Sequence, residues 1–210
     1  MEDLYKYEKE LYNKNVKYIG GVDEVGRGPL IGPVVAACVV LPKDFILEGL
    51  DDSKKLSEKK RELFYEYIEE HAVAWAVGIV GPEKVDEVNI YAATKIAMKE
   101  AINSVSKQVK LEHVLIDAMP LEIDIPTTSI IKGDAKSISI AAASVMAKVT
   151  RDRMMYELDI NYPQYGFGAH KGYPTKKHLE AIQKYGLIDG YRKSYGPVKE
   201  ILEGEKNATK

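Results

Sequence analysis

Two adjacent carboxylates, Asp23 and Glu24, end a short apolar run and lead directly into a glycine-flanked arginine, Gly26-Arg27-Gly28. Carboxylates at a strand end suit a hard divalent cation, which prefers oxygen ligands. Glycines at the following turn let main-chain N–H groups come close to a ligand. Two further acids stand where local structure could aim them at the same cleft. Asp117 closes the apolar run 114–117, and Asp134 lies just before a long predicted helix. Cleaving a phosphodiester needs an activated water and stabilised charge on the attacking and leaving oxygens. Two divalent ions about 4 Å apart, clamped by carboxylates, supply both. Magnesium keeps some waters and takes substrate phosphate as a ligand, so four acids suffice.

Each acid also has a simpler reading. Asp134 is placed to cap the helix that follows it, and Asp117 to begin a turn. Asp23 and Glu24 point to opposite faces of an extended strand, so both reach one metal pair only if the backbone bends near Gly26.

The positioning elements follow from periodicity. Leu4, Tyr5, Tyr7, Leu11 and Tyr12 recur at roughly helical spacing, predicting a short amphipathic helix within residues 1–14. Residues 16–23 and 34–41 read as two strands close enough for an antiparallel hairpin. Ser57 is a good N-cap for a helix to about residue 70, with Leu63, Phe64, Tyr67 and Ile68 inward. A third strand is expected over 72–80, a helical turn from Pro82, and a helix over 92–104 with Ala93, Ile96, Ala97 and Ile102 inward. The run 114–117 predicts a central strand, residues 123–131 an edge strand, and residues 136–158 a long helix rich in small residues. Residues 161–175 read as an irregular loop, Thr175 as the cap of a helix to about Tyr185, and the last ten residues as frayed. This order predicts an α/β layered domain with a mixed sheet.

The chain has 210 residues, is 45% hydrophobic, and carries 14 Tyr against three Phe and one Trp. That length suits one domain, with an α/β core over about 16–160 and a C-terminal loop and helical part over about 161–210. The net charge of −2 excludes a globally basic nucleic-acid binder, so any basic surface is local. The lone cysteine, Cys38, cannot form an internal disulfide, and no signal peptide is seen, so the cytoplasm is expected. The uncharged stretch 28–42 is interrupted by Gly32 and Pro33 and is too short to span a bilayer.

Six blocks in order resemble one family: Asp23-Glu24-Val25-Gly26-Arg27-Gly28-Pro29; Asp52-Ser53-Lys54-Lys55-Leu56; Asp117; Lys132-Gly133-Asp134-Ala135-Lys136; the stretch from Ala141 to Asp152; and His170-Lys171-Gly172-Tyr173. Together they resemble bacterial ribonuclease HII, of the type 2 ribonuclease H family. The resemblance implies a ribonuclease H-like layered fold, a five-stranded mixed sheet flanked by helices, with a C-terminal helical part. It implies hydrolysis of RNA in RNA–DNA hybrids and incision 5′ of single ribonucleotides in duplex DNA, leaving 3′-hydroxyl and 5′-phosphate ends, as ribonucleotide excision repair requires. Asp23, Glu24, Asp117 and Asp134 match the family's metal-binding carboxylates, with Mg2+ or Mn2+ at a two-metal site. Gly26, Arg27 and Gly28 match the motif that contacts the ribose 2′-hydroxyl and the neighbouring phosphate. Tyr173 matches the tyrosine that packs on the following sugar, although plain loop packing also accounts for it.

The 2′-hydroxyl is the local feature that separates RNA from DNA, and it both donates and accepts. Lys54, Lys55 and Arg151, with Lys148, are further candidates for phosphate contacts, a solvated helix face being the alternative for the last two. His170 either assists product release or satisfies a backbone carbonyl. One departure stands out: many bacterial members carry a His-Arg-x-Ser-Phe-like block where this chain has Tyr191-Arg192-Lys193-Ser194-Tyr195. Arg27 between the glycines and the short lead-in favour HII over ribonuclease HIII. A non-catalytic nucleic-acid-binding module is disfavoured because all four acids are present. A monomer acting on duplex nucleic acid is expected, with no membrane and no evident partner protein.

Overall fold

The computed structural model describes residues 4–50 and 56–208, with side chains as far as residue 204. Five strands form one mixed sheet: β1 (Ile19–Val25), β2 (Val34–Val40), β3 (Ala74–Val80), β4 (His113–Asp117) and β5 (Thr127–Ile130), in the order β3-β2-β1-β4-β5. The first two pair as the expected antiparallel hairpin, and β3 adds antiparallel to β2. On the other side β4 pairs parallel to β1 and β5 parallel to β4. β1 is therefore the middle strand, and β4 lies between it and the edge strand β5. The latter is shorter than residues 123–131, because pairing with β4 begins only at Thr127.

Every residue of β2 is buried. A strand covered on both faces reads as an unbroken apolar run, as here. One cover is α4 (Ile90–Ser106), whose Ala93, Ala97, Met98 and Ile102 pack against Val22, Ala36 and Cys38. The other is α5 (Ile138–Asn161), whose Ala141, Ala142, Val145 and Met146 pack against Val35, Ala37 and Val39. Small residues let α5 lie close to the sheet. A β-carbon on Gly21 would sit 2.1 Å from the main chain of Ser139, so only glycine permits this approach.

Outside this pair, α1 (Lys6–Tyr12) docks on the start of α5: buried Glu8 accepts from the Ser137 hydroxyl at 2.5 Å and from Ser139 N–H at 3.1 Å. α2 (Glu58–His71) begins at Ser57, whose side chain accepts from Lys60 N–H. Its inward stripe is Phe64, Tyr65 and Ile68, whereas Leu63 is 55% exposed and Tyr67 lies at the surface. The helix is rotated from expectation because Tyr65 meets Trp75 edge-on and carries Arg153 over its ring, while Tyr67 stacks on His71. α3 (Pro82–Val88) follows β3, as Pro82 predicts.

Two expectations for the C-terminal part are corrected. Residues 161–175 contain a 3-10 turn at Pro163–Tyr165 and a short helix, α6 (Phe167–His170), ordered by stacking of Tyr165 on Phe167 at 5.2 Å. Up to residue 208 the chain is not frayed coil: α7 (Lys176–Tyr185), capped by Thr175, is followed by α8 (Gly196–Ala208), anchored by buried Val198. These elements share a separate apolar cluster with Leu30 and Ile31, which lie just beyond the Gly26–Gly28 turn.

Candidate active site

Strand order brings the acids together. In the parallel pair, Val22 lies beside Ile116, so the next residues at the carboxyl ends are Asp23 and Asp117. Asp117 in turn pairs with Ile130 of β5, and the chain leaving β5 turns back at once through Gly133–Ala135. Asp117 fastens that turn, its Oδ1 accepting from Gly133 N–H at 2.6 Å. As a result, carboxylate oxygens of Asp23, Asp117 and Asp134 all lie within 4.8 Å of one another. The helix cap after this turn is Ser137, whose hydroxyl oxygen accepts from Ile140 N–H, so Asp134 is not spent as the cap of α5. Two non-glycine residues beside these acids, Ala118 (φ 46°) and Lys132 (φ 57°), adopt left-handed backbone. Such conformations cost free energy and persist where surrounding structure imposes them, typically at functional sites.

Asp23 is 5% exposed. Burial, then the charges of Glu24 and Asp117, push its carboxyl well above the usual carboxylate range, against hydrogen bonds from Glu24 N–H and the Ser144 hydroxyl. Ser144, on α5, is a supporting residue that sequence reasoning quoted only as part of a block. A divalent cation fits this donor set: three hard oxygen donors within shared reach, one of them buried among like charges that a cation would neutralise. Glu24 stands outside this trio, on the other face of β1 as the pleat requires, and its Oε1 lies 3.4 Å from Nη1 of Arg27.

The glycine-flanked turn follows directly. Gly26 has φ +91°, and a β-carbon there would lie 2.3 Å from Nε of Arg151, so both backbone and space demand glycine. Arg27 is exposed, with its side chain available to solvent. Gly28 faces Tyr173: a β-carbon at position 28 would lie 3.2 Å from Cε1 of that ring, which is 42% exposed. Thus Arg27, Gly28 and Tyr173 are exposed together at this turn, whereas Gly26 is buried beneath it.

The other candidates differ. Arg151 is corrected: it is fully buried, and its guanidinium donates to the carbonyls of Pro33 (3.0 Å), Lys171 (3.0 Å) and Ile31 (3.2 Å). Burial lowers its pKa to about 10. With its donors turned inward it braces the loop after β1 and has no phosphate to meet. Lys148 is engaged by Asp152 at 2.5 Å and is not a free phosphate contact. His170 satisfies the main chain, with Nε2 2.9 Å from the Tyr165 carbonyl and Nδ1 accepting from Gly172 N–H. Lys54 and Lys55 lie outside the described residues. Cys38 is buried, its thiol pushed up to about 12, and takes no part. Among the described residues, no helix is long and apolar enough to cross a membrane.

Residues that sequence reasoning missed are Arg192 and Tyr195. The buried Arg192 guanidinium donates to the carbonyls of Gly26 (2.6 Å) and Arg27 (3.0 Å), and the Tyr195 hydroxyl donates to the latter carbonyl. The one signal was the atypical block at 191–195.

Comparison with known proteins agrees with this geometry. The family model for ribonuclease HII matches residues 20–195. Ribonuclease HII of Bacillus mycoides is 59% identical over 201 residues, covering 96% of this chain and 77% of that protein. The Bacillus cytotoxicus enzyme is 58% identical over 203 residues, covering 97% and 78%. Among solved structures, ribonuclease H2 from Pyrococcus horikoshii superposes with a TM-score of 0.76 at 28% identity, covering 90% of this chain and 99% of that one. RNase HII in the PCNA complex from Archaeoglobus fulgidus gives 0.70 at 26% identity, covering 85% and 95%. Bst-RNase HIII in complex with Mn2+ shares the fold, with a TM-score of 0.71 at 18% identity, covering 91% and 71%. The chain belongs to the ribonuclease HII family, metal-dependent type 2 ribonuclease H hydrolases that cleave RNA in RNA–DNA hybrids.

Proposed function

We propose that this enzyme also incises 5′ of single ribonucleotides embedded in duplex DNA, leaving 3′-hydroxyl and 5′-phosphate ends. The observation that carries the reading is the meeting of three carboxylates at the end of β1, one turn before a glycine loop that faces an exposed tyrosine ring. Asp23, Asp117 and Asp134 would hold the metal, and Glu24 would join them as the fourth acid only if the backbone bends near Gly26 to turn it from the other face of β1. When bound, a pair of Mg2+ or Mn2+ ions supplies water activation and neutralises charge on the phosphate.

The chain's own residues do the reading. Main-chain groups of the Gly26–Gly28 turn, exposed at Gly28 where no side chain intervenes, meet the ribose 2′-hydroxyl, and Arg27 reaches the neighbouring phosphate. Tyr173 packs on the next sugar, where a hydroxyl-free deoxyribose lies flat against a ring. Together they recognise an RNA-to-DNA junction. The whole chain acts as one catalytic unit and as a monomer, in the cytoplasm. Because the Archaeoglobus relative was solved in a complex with PCNA, recruitment by a partner protein is compatible with this reading.

The test is a duplex carrying one ribonucleotide, incubated with and without magnesium. One incision 5′ of the ribonucleotide is expected, abolished by chelation. Cleavage of a continuous hybrid with no incision at the single site would overturn the reading in favour of an HIII-like activity.

A further inference from the structure

The loop bearing Gly26, Arg27 and Gly28 is gripped from behind by a segment far along the chain. Arg192 is completely buried, and its five N–H donors sit in a rigid plane. Nη2 donates to Gly26 O at 2.6 Å and to Gly32 O at 2.8 Å, Nη1 to Arg27 O at 3.0 Å, and Nε to Gly32 O at 3.1 Å. Nη1 also donates to the Tyr195 hydroxyl at 2.9 Å, which itself donates to Arg27 O at 2.5 Å. A planar fork fixes three carbonyls of one loop relative to each other; a point-charge ammonium cannot.

The same segment reaches the facing wall. Arg192 N–H donates to Leu30 O at 2.8 Å, and Leu30 N–H donates to Gly172 O at 2.8 Å. The Tyr191 hydroxyl lies 2.8 Å from Nε2 of His178, whose Nδ1 lies 2.9 Å from Tyr173 O. His178 is buried, its pKa lowered to about 4, so the ring is neutral near neutral pH. Nδ1–H therefore donates to Tyr173 O, and Nε2 accepts from Tyr191. One short segment thus holds both sides of the contact between Gly28 and Tyr173.

We propose that Arg192 and Tyr195 are positioning residues that set the spacing of the Gly26–Gly28 loop against Tyr173, and with it the preference for a single ribonucleotide over a continuous hybrid. This rests on the junction reading given under Proposed function. Tyr195→Phe keeps the ring and removes only the hydroxyl; Arg192→Lys keeps the charge and removes the fork. Two measurements on the full chain test the idea. One is amide hydrogen exchange at residues 26–28 without substrate. The other is the ratio of kcat/KM on a single-ribonucleotide duplex to that on a continuous hybrid.

Faster exchange at residues 26–28 is expected in both variants, with sheet amides unchanged. The ratio should fall about 3- to 10-fold in Tyr195→Phe, the worth of one hydrogen bond, and further in Arg192→Lys. Unchanged exchange at 26–28 in both variants overturns the positioning role, whatever the rates do. Faster exchange with equal loss on both substrates overturns the link to preference. A wild-type enzyme that cuts the hybrid but not the single-ribonucleotide duplex overturns the junction reading instead, and exchange alone then decides whether the loop is held as described.

Discussion

Asp23 concentrates the cost of the site in one side chain. It is buried, faces Asp117, and holds its proton well above the usual carboxylate range. A carboxyl whose folded pKa is raised contributes stability below its unfolded value near 4 and loses it as pH rises through the folded value. In the metal-free protein at pH 7, Asp23 is therefore destabilising. Asp23→Asn should raise the metal-free melting temperature at pH 7, and by much less at pH 4. Magnesium should raise the wild-type melting temperature and leave that of the variant nearly unmoved. Cutting should fall by on the order of 100-fold or more, because even groups behind a metal ligand typically matter 10- to 100-fold. Calorimetry with and without magnesium, beside an incision assay, checks all three; unchanged cutting would remove Asp23 from the site. His178 has the opposite signature. Its folded pKa of about 4 lies below the unfolded 6.5, so its neutral form stabilises fully above pH 6.5, and that stability is lost as pH falls towards 4. Denaturation midpoints followed from pH 7 to pH 4 should fall less steeply in His178→Asn, with a difference of at most about 3 kcal/mol.

At the scale of elements, the close approach of α5 to β1 matters most, since the turn bearing Asp134 leads straight into that helix. Gly21 has the main chain of Ser139 where a side chain would be, and Gly78 of β3 has the Ala97 carbonyl of α4 2.0 Å from its would-be β-carbon. Both Gly→Ala variants force a helix away from the sheet and should lose about 1–3 kcal/mol, the usual cost of overpacking. They should differ in activity per folded molecule. Gly21→Ala moves the helix that places Ser144 and follows Asp134, so its kcat should drop at least about 10-fold. Gly78→Ala shifts the opposite layer and should retain activity. Urea denaturation with rates measured well below the midpoint separates the two, and equal kcat values would mean that the helix can shift without disturbing the acids.

Taken whole, the molecule is slightly acidic, with a net charge of −2, so attraction to a duplex comes from a local surface. Arg27 is exposed at the loop and only loosely held by Glu24, whereas Arg151 and Arg192 are committed to internal carbonyls. Duplex binding should weaken with salt, and Arg27→Ala should lower the slope of log Kd against log salt by about one unit. An unchanged slope across a sodium chloride titration would mean that Arg27 touches no phosphate.

Much of the architecture was legible from residue order because its causes are local. The apolar run 34–41, the caps at Ser57 and Thr175, and the small-residue face of α5 express their structure through neighbours a few positions away. Asp23, Asp117 and Asp134 each stood at a recognisable element end, yet nothing in their separate neighbourhoods brings them together. Parallel pairing of β4 with β1, and of β5 with β4, does that, and strand order is a non-local choice. The arginines make the same point. Arg27, Arg151 and Arg192 are one residue type, and only the packed fold turns the first towards water and the other two onto carbonyls from distant loops. Chemistry could be listed by reading along the chain; which groups face each other, and which are shut away, depended on long-range contacts that form only when the layers close.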